Sequence, residues 1–166
     1  MITEEQFHRA KILIVDDEPA NIRLLEGLLK GKGYACIESV TDPRKVLEFY
    51  QEFQPDLVLL DLNMPHLNGL QVLEQLNNLD QKYHAPIMVL TAQTDLDSKL
   101  RALDLGARDF LSKPFDLIEL SIRIRNLLEV SLLIGQLYRN QETLIENFEE
   151  KSFELAVAMT KIGKSI

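Results

Sequence analysis

A chain of 166 residues with 46% hydrophobic residues can bury one core and carry an appendage, but it is too short for two full-sized domains. Its formal net charge of −8 argues against general affinity for nucleic acid or an anionic membrane, since both require a positive field. The single cysteine, Cys36, excludes an internal disulfide and a cysteine-based metal cluster and fits a reducing compartment, with the cytoplasm as the default.

In chain order, residues 1–10 read as a polar lead-in, without the charged end and apolar stretch of a secretory signal, and no later run approaches the ~20 apolar residues that span a bilayer. From Lys11 the sequence alternates two periods. Short apolar runs at 12–15, 34–40, 57–60, 87–90 and 109–112 are followed by longer segments with apolar spacings of three and four, the pattern of βα repetition. Runs of this kind, with little polar alternation, belong in a parallel sheet covered on both faces. Helix starts are marked by Pro19, by Asp42 with Pro43, and by Asp116 with Glu119 in capping-box spacing. The prediction is an α/β fold of five βα units, a doubly wound parallel sheet.

The last helix has no reason to stop. No proline occurs from Asp116 to Lys161, and one long helix is the simplest reading. Along it Leu127, Val130, Ile134, Leu137, Leu144, Phe148, Leu155, Ala158 and Ile162 keep the alternating spacing of a heptad seam, interrupted by Gln141 and Lys151. A second copy of the same helix is the natural cover for that stripe, so a homodimer through a parallel coiled coil is expected, the alternative being a helix folded back on its own domain. The division drawn from sequence is a lead-in at 1–10, a globular domain at 11–128 and a helical extension at 129–166.

Three acids sit where strands end: Asp16 and Asp17 close the first run, and Asp61 closes the third. In an open parallel sheet of order 2-1-3-4-5, strands one and three are neighbours, and ligands collect beyond their carboxyl ends. Crowded carboxylates raise one another's pKa unless a cation compensates, and oxygen-only ligands suit Mg2+, with Mn2+ able to substitute. Thr91 closes strand four with a hydroxyl, and Lys113 after strand five offers an ammonium. A carboxylate among a metal, a hydroxyl and an ammonium can attack phosphorus, and the resulting acyl phosphate is cleavable by water, as a temporary switch requires.

Taken together, Val15-Asp16-Asp17-Glu18, Asp61-Leu62-Asn63-Met64-Pro65 with Gly69, Leu90-Thr91-Ala92 and Lys113-Pro114-Phe115 resemble, in order and spacing, the receiver domains of two-component response regulators. The resemblance covers residues 11–128 and implies the flavodoxin-like (βα)5 fold. It also implies that Asp61 is the phosphoacceptor, that Asp17 binds the metal directly and Asp16 mainly through water, and that Asn63 contributes its backbone carbonyl. Thr91 and Lys113 would hold the phosphoryl group, delivered by a histidine kinase or phosphotransfer protein, and the Lys113-Pro114 peptide would be cis.

The family's switch pairs the threonine with an aromatic on strand five. Phe110 stands there, where tyrosine is commoner, and keeps the steric movement without the hydroxyl. The implied output surface is strand five with residues 98–105 and 116–128, continuing into the long helix. Asn63 and Gln93 occupy the two positions that influence acyl-phosphate hydrolysis. Such a chain catalyses only its own phosphorylation and dephosphorylation. No effector motif is present, and the helix reads either as a dimerisation stalk alone or as the linker to an output domain outside this sequence.

A rival reading, an aspartyl-phosphate phosphatase, expects a nucleophile and a second acid two residues apart after the first strand. Here the first strand ends Asp16-Asp17, and Asp61 has Asn63 two positions on, which disfavours it. His8, His66 and His84 lack ligand spacing and read as surface residues, and Cys36 reads as a small buried hydrophobe.

Overall fold

Apolar runs without polar alternation need cover on both faces, and the computed structural model supplies it. It describes residues 1–79, 81, 84–92 and 96–165, the last two by their backbone. Five parallel strands, β1 (Lys11–Val15), β2 (Cys36–Val40), β3 (Leu57–Leu60), β4 (Ile87–Thr91) and β5 (Asp109–Ser112), form one sheet in the order β2-β1-β3-β4-β5. This is the flavodoxin-like order expected from the sequence. β3 and β4 are buried throughout and β1 from its second residue on, whereas the edge strands β2 and β5 are partly open, where Glu38, Ser39 and Asp109 interrupt the apolar pattern.

Successive strand residues point to opposite faces, so each strand feeds two cores. Leu13, Val15, Val58, Leu60, Val89 and Phe110 pack on one side with residues of α3 (Val46–Phe53), α4 (Gly69–Asn77) and α5 (Leu96–Asp104). On the other side Ile12, Ile14, Leu57, Leu59, Met88 and Leu90 meet α2 (Pro19–Gly31) and the start of α6 (Leu117–Ser165) through Leu25, Leu29, Leu120 and Ile124.

The helix signals are used with two differences. Pro19 occupies the first turn of α2. The Asp42 carboxylate accepts the Arg44 N–H, but it opens a 3-10 turn (Pro43–Lys45) ahead of α3. Asp116 accepts the Ile118 N–H at 2.7 Å, while the Glu119 carboxylate turns to Arg123 one helical turn on.

The first ten residues are more than a lead-in. They contain α1 (Glu4–His8), opened by a reciprocal capping box between Thr3 and Gln6. Ile2, Phe7 and Ala10 are buried in the same core as Ile124 and Leu128. Arg125 lies 4.0 Å over the Phe7 ring and pairs with Glu4.

The chain divides into two units, Met1–Leu132 and Leu133–Ile166. The first runs four residues past the division expected after Leu128, because Ser131 is still buried and its hydroxyl donates to the Asp56 carbonyl at 2.7 Å. The second is helical, with Leu137, Leu144, Phe148, Leu155 and Ile162 exposed along the heptad stripe. Among the described residues no helix is long and apolar enough to cross a membrane.

Candidate functional site

The sheet's hydrogen bonds bring the strand-end residues together. Asp61 N–H donates to the Val15 carbonyl at 2.9 Å and Asp16 N–H to the Val40 carbonyl at 3.2 Å, so the β1, β2 and β3 ladders continue one residue into the acidic cluster. On the far side Lys113 N–H donates to the Thr91 carbonyl at 2.8 Å, which carries the lysine past the end of β5. The Lys113-Pro114 peptide is cis, as expected.

Asp16, Asp17 and Asp61 each offer a carboxylate oxygen within 4.8 Å of the others, a spacing that can hold a metal ion. Lys113 Nζ stands 3.6 Å from both Asp16 Oδ2 and Asp61 Oδ2. The other Asp16 oxygen accepts the Glu18 N–H at 2.9 Å, which closes the turn into α2 and fixes the carboxylate. Asn63 N–H donates to Asp61 Oδ1 at 3.1 Å. The donors are all hard oxygens, and this set fits magnesium or manganese rather than zinc.

Burial raises the Asp61 pKa above the ordinary carboxylate range, and repulsion from Asp16 and Asp17 adds to it, against the pull of the Asn63 N–H and of Lys113. A divalent cation among the three carboxylates opposes that rise.

The loop after Asp61 depends on Gly69. Its N–H donates to the Leu62 carbonyl at 2.9 Å, and a Cβ there would lie 2.4 Å from Leu62 Cα and 2.5 Å from the Asp61 carbonyl oxygen. Only a residue without a side chain lets α4 begin this close to the strand end.

The response regulator receiver domain model matches residues 12–125. The chain belongs to that family. Response regulator PleD of Caulobacter vibrioides is 35% identical over 132 residues, which are 80% of this chain and 29% of that protein. Transcriptional regulatory protein BasR of Escherichia coli is 41% identical over 140 residues, covering 78% of this chain and 60% of that one. The receiver thus spans about a third of one relative and under two thirds of the other. Among solved structures, chemotaxis protein CheY4 of Vibrio cholerae matches with a TM-score of 0.66 and 28% identity, over 72% of this chain and 98% of that one.

In this receiver Asp16, Asp17, Asp61, Asn63, Thr91 and Lys113 gather at the carboxyl ends of the strands. Thr91 is wholly buried, and Phe110 is buried in the core beside α5, where Lys99 Nζ lies 6.0 Å from the ring centre. Gln93 lies outside the described residues. His8 and His66 are exposed, and His84 is half-buried. Cys36 is half-buried at the first position of an edge strand rather than fully buried, because β2 has a neighbour on one side only.

One contact was not foreseen from sequence: Asn63 Nδ2 donates to Thr91 Oγ1 at 3.2 Å. The sequence marks Asn63 for its backbone carbonyl and for a position that influences acyl-phosphate hydrolysis, but a side-chain bond between residues 28 positions apart leaves no trace in spacing.

Proposed function

We propose that this receiver takes a phosphoryl group on Asp61, with Mg2+ held by Asp16, Asp17, Asp61 and the Asn63 backbone carbonyl, and that Mn2+ can replace it. The observation that carries the reading is the Lys113 ammonium 3.6 Å from two of three clustered carboxylates, an arrangement that brings cationic and nucleophilic groups to one point. The bound cation supplies charge neutralisation for the phosphoryl oxygens. The Asp61 carboxylate oxygen attacks phosphorus of a phosphohistidine on a histidine kinase or phosphotransfer protein. The P–O bond to Asp61 forms as the P–N bond breaks, and the imidazole nitrogen leaves with the electron pair. Lys113 holds one phosphoryl oxygen by its charge and Thr91 another by its hydroxyl. Water later attacks the same phosphorus, the P–O bond to Asp61 breaks with its electron pair returning to the carboxylate, and inorganic phosphate and a proton are released to solvent.

The signal then leaves through Thr91 at the end of β4 and Phe110 on β5. Phe110 packs with α5, and the exposed Leu96, Leu100, Leu117, Ile118 and Ile122 give α5 and the start of α6 an apolar output face. The helix beyond Leu132 pairs with its copy in a homodimer and passes the change to an output domain. Beryllofluoride with magnesium tests the reading, because it mimics the phosphorylated carboxylate. The wild-type chain is expected to bind it and Asp61→Ala is not. Equal binding by the two, or none by the wild type, defeats the proposal.

A further inference from the structure

Asn63 touches both partners of the proposed phosphoryl group before any such group is present. Its main-chain N–H donates to Asp61 Oδ1 at 3.1 Å and its side-chain Nδ2 donates to Thr91 Oγ1 at 3.2 Å. We propose that Asn63 is a positioning residue whose amide orients the Thr91 hydroxyl to donate to an oxygen of a phosphoryl group on Asp61. The inference rests on the reading of Asp61 as the phosphoacceptor.

The chemistry follows from what a hydroxyl offers: one donor and two acceptor directions. Thr91 is wholly buried and β-branched, so its side chain has little freedom beyond rotation of the O–H. A bond accepted from Asn63 takes one lone pair and keeps the hydroxyl hydrogen off the Asn63 side. The same bond polarises the O–H and makes it a better donor. Asn63 itself is exposed, on a loop tied back by the Gly69 to Leu62 bond, so the amide reaches inward from a fixed anchor. Residue type matters. A carboxylate at this position accepts only, and it would draw the Thr91 proton toward itself and away from the phosphoryl oxygen.

A double-mutant cycle on the full chain tests this, with beryllofluoride plus magnesium as the probe and its affinity read by fluorine NMR titration. Asn63→Ala keeps the backbone carbonyl and N–H and removes only the amide. In the Thr91 background it is expected to weaken binding by roughly three- to tenfold, the worth of one hydrogen bond. In the Thr91→Ala background the same change is expected to have no effect, which a general loosening of the loop would not reproduce. Equal losses in both backgrounds, or no loss in either, overturn the positioning role. Should Thr91→Ala bind too weakly to titrate, Thr91→Ser serves instead. Serine keeps the hydroxyl but lacks the methyl that restricts it, so the Asn63→Ala loss must be at least as large as in the wild type, and a smaller loss overturns the role. Failure of the unmodified chain to bind the probe strikes the phosphoacceptor reading itself and is distinguishable from all of these.

Discussion

Ser131 on α6 donates its hydroxyl to the main-chain carbonyl of Asp56 at 2.7 Å, across 75 positions of sequence. Asp56 also holds Lys11, accepting its N–H on Oδ2 at 2.8 Å and donating its own N–H to the Lys11 carbonyl at 2.7 Å. The starts of β1 and β3 and a buried turn of α6 are thus joined at one residue. Ser131→Ala is expected to cost about 1 kcal/mol, the net worth of one buried bond, and urea denaturation measures it. An unchanged midpoint would mean that the first unit does not depend on this tie.

The ionisation of Asp61 makes a prediction with a definite sign. Its carboxyl binds a proton more tightly in the folded chain than in the unfolded one, through burial first and the neighbouring acids second. A group with a raised native pKa contributes stability that is full below its unfolded pKa, at about 3.9 for aspartate, and that is lost as pH rises through the native value. In chelator, Asp61→Asn is therefore expected to be more stable than the wild type at neutral pH, with the advantage vanishing toward acid. Excess Mg2+ is expected to stabilise the wild type by mass action and the variant much less. Matched urea titrations across pH, with and without metal, provide the check; identical profiles for the two chains would contradict it.

Much of this was readable because strand ends are set by periodicity. Leu57–Leu60 and Asp109–Ser112 have the bounds the apolar runs give, and once the strand order follows, Asp16, Asp61, Thr91 and Lys113 have to meet. What escaped depends on contacts without local period. Ile2, Phe7 and Ala10 are spaced too widely in a polar stretch to announce a buried face, although the Thr3 and Gln6 pair is a legible capping box. The Ser131 tie and the Asn63 amide on Thr91 are side-chain bonds across long separations, invisible to propensity and pattern alike.

Gly69 offers a stringent test of the loop that carries Asn63. A methyl at this position would lie 2.4 Å from Leu62 Cα and 2.5 Å from the Asp61 carbonyl oxygen, and both obstacles are backbone. Relief requires α4 to retreat from the strand end, which displaces the Asn63 carbonyl and N–H from Asp61. Gly69→Ala is expected to destabilise the domain by about 1–3 kcal/mol and to weaken Mg2+ binding, measured by denaturation and by calorimetry. Metal affinity equal to that of the wild type would separate the loop from the metal site.

The proposed pairing of the distal helix rests on side chains that a lone helix leaves in water. Leu144 is 69% exposed and Phe148 72%, both on the heptad stripe, and an apolar stripe of this length is stable in solution only when covered. Gln141 also lies on the stripe, where a parallel pair would place it opposite its own copy and allow the two amides to bond across the seam. The chain ending at Ile166 is accordingly expected to be dimeric by light scattering, and a chain ending at Leu132, which retains the compact unit, to lose that dimer. Leu144→Lys with Phe148→Glu is expected to give a monomer of full length while leaving the denaturation of the first unit unchanged. A monomer at both lengths would exclude the coiled coil, and a dimer at both would move the interface onto the first unit, where the exposed Leu96, Leu100, Ile118 and Ile122 are the side chains to substitute next.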